Sequence, residues 1–208
     1  MKKKYILALS LVIIVLIISI VLANGAMENY RTREVKAIQK FVSNNPDLDI
    51  EPKKLKVLDV GAGEGHLSNA LNYDITMIDI ESKNSDVIIY DGENIPFEDN
   101  SFDLVLCVYV LHHISEGKRQ SFIKELSRVA THVIIFEDLP DTSLSALGRL
   151  FYKKHFKIFG TEPREAYSKE ALEDALSEHF DIINRKTLSP TFVVQYSRIG
   201  LLLRKFNA

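Results

Sequence analysis

Four evenly spaced residues, Asp59, Gly61, Gly63 and Gly65, begin within the apolar run of Val57, Leu58 and Val60 and continue beyond it. This pattern reads as a buried strand, a glycine-rich turn and the start of a helix. Gly61 can take the positive φ needed to leave a strand sharply. Gly63 has no Cβ to keep a ligand from the backbone, and Gly65 lets a helix pack closely. The first N–H groups and the dipole of such a helix favour a polar or anionic ligand group. A second acid, Asp79, closes the run Ile75-Thr76-Met77-Ile78-Asp79-Ile80 and lies 20 residues after Asp59. A carboxylate there can accept hydrogen bonds from two vicinal hydroxyls of a sugar, and nucleotide-binding α/β sheets carry an acid at this distance for that purpose.

The spacing narrows the ligand. A dinucleotide fingerprint runs Gly-x-Gly-x-x-Gly, and His66 stands where its third glycine would fall, which disfavours a nicotinamide-dependent oxidoreductase. A third motif runs Asp91-Gly92-Glu93-Asn94-Ile95-Pro96-Phe97, then Phe102-Asp103, a strand, and Leu111-His112-His113. Together the three motifs closely resemble those of the class I, Rossmann-like S-adenosylmethionine-dependent methyltransferases of the small-molecule type, over about residues 55–138. The resemblance implies S-adenosylmethionine as methyl donor. It places Asp59, Gly61, Gly63 and Gly65 at the methionine end, Asp79 at the ribose, and Asp91 with Gly92 at the adenine. Ile80 and Cys107 join the same cofactor pocket. No catalytic acid or base and no metal site is assigned.

Other polar residues have plainer readings. Cys107 lies in the apolar run Leu104–Val108 and reads as a small buried hydrophobe rather than a nucleophile. His112 and His113 lack the i, i+4 spacing of a helical metal pair; neighbours on a strand diverge, one packed and one hydrogen-bonded. Their position past the fourth strand faces the expected acceptor side. The segment from Arg149 to Phe159 mixes basic and aromatic residues, as a packed helix or a lid would.

The elements that must position these groups follow from periodicity. Strands are expected at 56–60, 75–80, 87–90, 102–109 and 132–137, with helices at 28–44, 65–72 and 116–129. Ser168 is placed to cap a helix running to about Glu178, and strands follow at 180–188 and 193–203. In the family this becomes a doubly wound seven-stranded α/β sheet, mostly parallel with an antiparallel closing strand.

At 208 residues, 46% hydrophobic, the chain suits one α/β domain with a small appendage. A single cysteine excludes an internal disulfide framework. Beyond residue 26 there are 23 basic and 28 acidic residues, a net of −5, which speaks against nucleic-acid binding. Tyr5 to Ala23 carries no charge, and as a helix it would nearly span a hydrocarbon core of about 30 Å. Residues 1–26 are therefore expected to form a transmembrane anchor, with a cleaved signal segment or an overlong gene start as alternatives. Residues 27–54 are expected to form a helix and linker, and the resemblance implies a methyltransferase domain over 55–208. Positive charges flank the leader on both sides, so cofactor supply orients the domain towards the cytosol in a single-pass membrane protein. The expected partners are the membrane and a small-molecule or lipid-like acceptor. The alternative function is a non-catalytic, membrane-anchored binding module that keeps the fold.

Overall fold

The computed structural model describes residues 32–48, 54–139, 167–189 and 197–206, together with Ile13. The chain divides into two units, Met1–Lys36 and Ala37–Ala208, and every strand among the described residues lies in the second. Seven strands form one sheet: β1 (Lys56–Val60), β2 (Asp74–Asp79), β3 (Val87–Ile89), β4 (Phe102–Val108), β5 (Ala130–Leu139), β6 (Phe180–Leu188) and β7 (Ser197–Lys205). Their order is β3-β2-β1-β4-β5-β7-β6. The first five run parallel, and β7 runs antiparallel to both its neighbours, β5 and β6.

The central strands are apolar because both faces are covered. Val57, Leu58 and Val60 of β1, Leu104 to Cys107 of β4 and Val133 to Phe136 of β5 are fully buried. The edges differ: β3 has three residues with Ile88 and Ile89 exposed, and β6 is largely exposed along its length. A short edge strand limits unwanted pairing.

Helix α1 occupies 32–43, and the ring of Phe41 lies 6.1 Å from that of Phe136 on β5. Helix α2 (Glu116–Val129) buries Phe122, Ile123, Leu126 and Val129, the i, i+1, i+4, i+7 stripe of an amphipathic helix. Helix α3 (Lys169–Ser177) starts as the sequence indicates: the Ser168 hydroxyl accepts from the Ala171 N–H at 3.1 Å.

One expected element is absent. The helix at 65–72 is replaced by a single 3-10 turn, Ser68–Ala70, held by i→i+3 bonds from Ala70 N to Leu67 O and from Leu71 N to Ser68 O. β2 begins at Asp74, so too few residues remain after Gly65 for a cooperative α-helix. No sizeable macrodipole stands behind the glycine turn, and the dipole argument for ligand binding falls away there. The Tyr5–Ala23 leader lies outside the described residues apart from Ile13, as does the 149–159 segment. No helix among the described residues is long and apolar enough to cross a membrane.

Candidate functional site

The strand order reverses between β1 and β4, and ligands of open α/β sheets bind outside the carboxyl ends of strands at such a switch point. The glycine turn, Asp79, the Asp91 loop and the segment after β4 all emerge from those ends.

Backbone bonds fix the turn. The N–H groups of Gly61 and Ala62 donate to Ile78 O at 2.9 and 3.1 Å, tying it to β2. Gly61 and Gly63 have φ of 77° and 57°, in the left-handed region that disfavours other residues. Their surroundings are opposite. A Cβ on Gly61 would lie 2.4 Å from Val110 Cγ2, so the segment after β4 packs directly on the turn. A Cβ on Gly63 would meet no atom within 4 Å. That open backbone is what a closely approaching ligand requires.

Asp79 faces it. Gly63 N–H donates to Asp79 Oδ2 at 2.7 Å, and Glu81 N–H donates to Oδ1 at 3.2 Å. Each carboxylate oxygen has a second lone pair, so the group can still accept from a ligand's hydroxyls. The 82–84 loop closes the far side: Ser82 Oγ donates to Gly63 O at 2.8 Å and Asn84 Nδ2 to Glu64 O at 3.1 Å.

Asp59 lies at the base of the turn, 2% exposed, and its Oδ2 accepts from Ser68 Oγ at 2.5 Å. Burial raises its carboxyl pKa from 3.8 to about 6; the Ser68 bond opposes this and the nearby charge of Asp79 adds to it. A cationic group arriving here would find an acid whose buried charge needs a partner. Asp91 is the reverse case. It is exposed, and its Oδ1 accepts from Asn94 N and Glu93 N at 2.8 Å each, bonds that lower its pKa.

Gly92 and Ile80 form an apolar corner. Gly92 has φ of 79°, and a Cβ there would lie 2.8 Å from Ile80 Cγ2. Ile80 itself is 63% exposed, unusual for a large apolar residue, and it offers a surface for a flat ring. The loop beyond is stapled by Arg128, which donates to Ile95 O, Phe97 O and the Glu125 carboxylate.

Cys107 does not share this exposure. It pairs with Val60 in the sheet and is fully buried in the core, where burial followed by the charges of Glu137 and Asp59 pushes its thiol pKa well up. Its side chain therefore reaches no open surface.

The structure also brings together groups that the sequence analysis did not pair. His112 and His113 lie on a 3-10 turn, Leu111–His113, rather than on a strand. His112 is buried with its Nδ1 2.8 Å from Glu137 Oε2, while Glu137 Oε1 accepts from Leu111 N–H at 2.8 Å. His113 is exposed. Tyr109 has a φ of 61°, and its hydroxyl accepts from the buried Arg198 Nη1 at 3.2 Å. The signal that pointed to Asp79 also marks Glu137: an acid closing an apolar run, here after Val133-Ile134-Ile135-Phe136. Among the described residues no group of three or more His, Cys, Asp or Glu side chains could hold a metal ion.

Comparison with known proteins agrees with this geometry. A methyltransferase-domain family model matches residues 58–132. An uncharacterized methyltransferase of Bacillus subtilis is 33% identical over 92 residues, 36% of each chain. The demethylmenaquinone methyltransferase of Thermotoga maritima is 27% identical over 159 residues, 67% of this chain and 64% of that one. The chain thus spans about a third and just under two thirds of these relatives. The crystal structure of a SAM-dependent methyltransferase from Methanosarcina mazei superposes with a TM-score of 0.63 at 19% identity, covering 76% of this chain and 95% of that one, and so shares the fold.

Proposed function

We propose, for a chain whose residues 58–132 belong to a methyltransferase-domain family of the class I, Rossmann-like type, that it transfers a methyl group from S-adenosylmethionine to a small-molecule or lipid-like acceptor. The observation that carries the reading is the open backbone at Gly63 facing the Asp79 carboxylate. In this reading Asp59 balances the methionine ammonium group and the Gly61–Gly65 turn holds that end. Asp79 takes the ribose hydroxyls, and Ile80, Asp91 and Gly92 frame the adenine. The donor supplies an already activated methyl carbon. The chain's own task is to align the acceptor with it and exclude water.

Two features support a lipid-like acceptor at a membrane. One is the uncharged Tyr5–Ala23 leader. The other is the similarity to an enzyme named for a demethylmenaquinone substrate. We place the leader in the membrane and the domain on the cytosolic side, where the methyl donor is made.

Calorimetry on the full-length chain in detergent should show saturable binding of S-adenosylmethionine or its demethylated product. Preference for NAD with no binding of either sulfur compound would overturn the assignment. Incubation with labelled donor and a membrane extract should move label into an extractable lipid or small-molecule fraction. Cofactor binding with no transfer to any fraction would instead favour the non-catalytic module.

A further inference from the structure

The pair His112 and Glu137 is buried, polar and unused by cofactor binding. Burying two ionisable side chains is costly unless each is satisfied, and here the geometry is specific. The two oxygens of Glu137 divide their work: Oε1 pins the turn through Leu111 N–H, and Oε2 holds His112 Nδ1. A carboxylate only accepts, so the proton of the neutral imidazole resides on Nδ1 and the lone pair on Nε2. The bond to Glu137 uses Nδ1 alone, and the side chain keeps 10% of its exposure. The turn that carries it is seated on the cofactor cradle, since Val110 is the residue that a Cβ on Gly61 would strike.

We propose that His112 is the general base of the transfer, its Nε2 removing the proton from the acceptor atom that receives the methyl group. Glu137 is its positioning residue, fixing tautomer and ring orientation. The inference rests on the methyl-transfer reading and narrows it. The acceptor must carry a removable proton at the reacting atom, as a phenol or quinol hydroxyl or an acidic C–H does. The acceptor's electron pair forms the bond to the methyl carbon, and the carbon–sulfur bond breaks with its pair passing to sulfur. The acceptor's proton moves to Nε2. The positive charge that leaves sulfur comes to rest on an imidazolium beside Glu137, and that proton is later lost to water.

The charges around the ring fit a base that works near neutrality. Burial alone would lower the imidazole pKa. The hydrogen bond and charge of Glu137, with the charge of Asp138, outweigh burial and the opposing Arg119, and hold it above the ordinary 6.5. The transfer rate should therefore rise with pH and level off above a midpoint higher than 6.5.

The test uses full-length protein in detergent, the demethylated donor product for binding, and 1,4-dihydroxynaphthalene as a protic probe for label transfer. His112→Gln should bind the demethylated product within about twofold of wild type while transferring label on the order of 100-fold more slowly. Glu137→Gln should move the acidic limb of the pH profile to lower pH. Nitrogen NMR of the wild-type imidazole should show the Nδ1–H tautomer, a measurement independent of both variants and acceptor. Transfer by folded His112→Gln within about threefold of wild type, an unmoved limb in Glu137→Gln, or an Nε2–H tautomer would each overturn the proposal. Failure of the methyl-transfer reading looks different: wild type itself would not bind the demethylated product.

Discussion

Asp59→Asn should make the protein more stable at neutral pH and a poorer binder of its cofactor. The Asp59 carboxyl is 2% exposed, and its pKa rises on folding from 3.8 to about 6, mainly through burial. A folded-state value above the unfolded one means that the folded protein holds this proton more tightly. The resulting stabilisation is complete below about pH 4 and is lost as pH climbs through about 6. That gap corresponds to roughly 3 kcal/mol of strain borne by the ionised protein at neutral pH. Asparagine removes the charge and keeps an oxygen that can accept from Ser68 Oγ. The roughly 3 kcal/mol is already net of the Ser68 bond, which opposes the rise. A gain of up to about 3 kcal/mol at pH 8 is therefore expected, shrinking towards zero near pH 4. Urea unfolding of both proteins at pH 4.5, 6 and 8 measures it. Binding should change the other way, because an ammonium group loses its carboxylate partner, worth roughly 1.5–3 kcal/mol or at least tenfold in affinity. In wild type, affinity should fall as pH drops through about 6, since only the ionised acid pairs with the cation. A variant less stable than wild type at pH 8, or a stability difference that does not vary with pH, would refute the account of Asp59 as a buried charge awaiting a partner.

Gly63→Ala should fold with only the cost of its positive φ, about 1 kcal/mol, yet bind cofactor poorly, because its Cβ fills open space meant for ligand. Gly61→Ala should unfold at lower denaturant concentration than Gly63→Ala, since its Cβ meets Val110 at 2.4 Å; equal midpoints would contradict the packing described. Asp79→Ala and Asp91→Ala should each weaken binding of the demethylated product about tenfold or more by calorimetry. Asp91→Asn, which keeps an acceptor for Glu93 and Asn94 N–H, separates adenine binding from loop integrity. For the leader, carbonate washing should leave the full-length chain in the membrane pellet and release one that begins at Met27. Protease added to intact cells should spare the domain; cleavage there would place it on the other side.

Much of this site was legible because its signals are local. The run Val57-Leu58-Asp59-Val60 followed by glycines contains its own strand and turn, and β1 forms where the pattern places it. Local signals misled where an apolar pattern fitted two outcomes. Leu67, Ala70 and Leu71 suit a helix face, but the early start of β2 leaves room for only one 3-10 turn. The Tyr109–Arg198 contact spans 89 residues, and only the insertion of β7 beside β5 brings it about. Glu137 and His112 are 25 residues apart and meet because Val108 of β4 lies in register with Phe136 of β5. A register is a property of two strands, and neither strand's residues announce it.

The acids at the strand ends show the same limit at the level of chemistry. Asp59, Asp79, Asp91 and Glu137 all follow apolar runs, and in the sequence they are equivalent signals. The fold separates them by what neighbouring strands place around each. Asp59 is sealed under its turn by flanking strands and the Ser68 turn, so its pKa rises. Asp79, at the end of β2, is half-buried and meets a backbone N–H across the cradle. Asp91 follows the short edge strand β3, so it stays in solvent and its own loop lowers its pKa. Glu137, on a strand covered by β4 and β7, can be buried only with partners, and the turn after β4 provides them. Position in the sheet thus assigns the four acids different tasks. A central acid can hold a cation or orient an imidazole, whereas an edge acid can only shape a loop or meet a ligand in water.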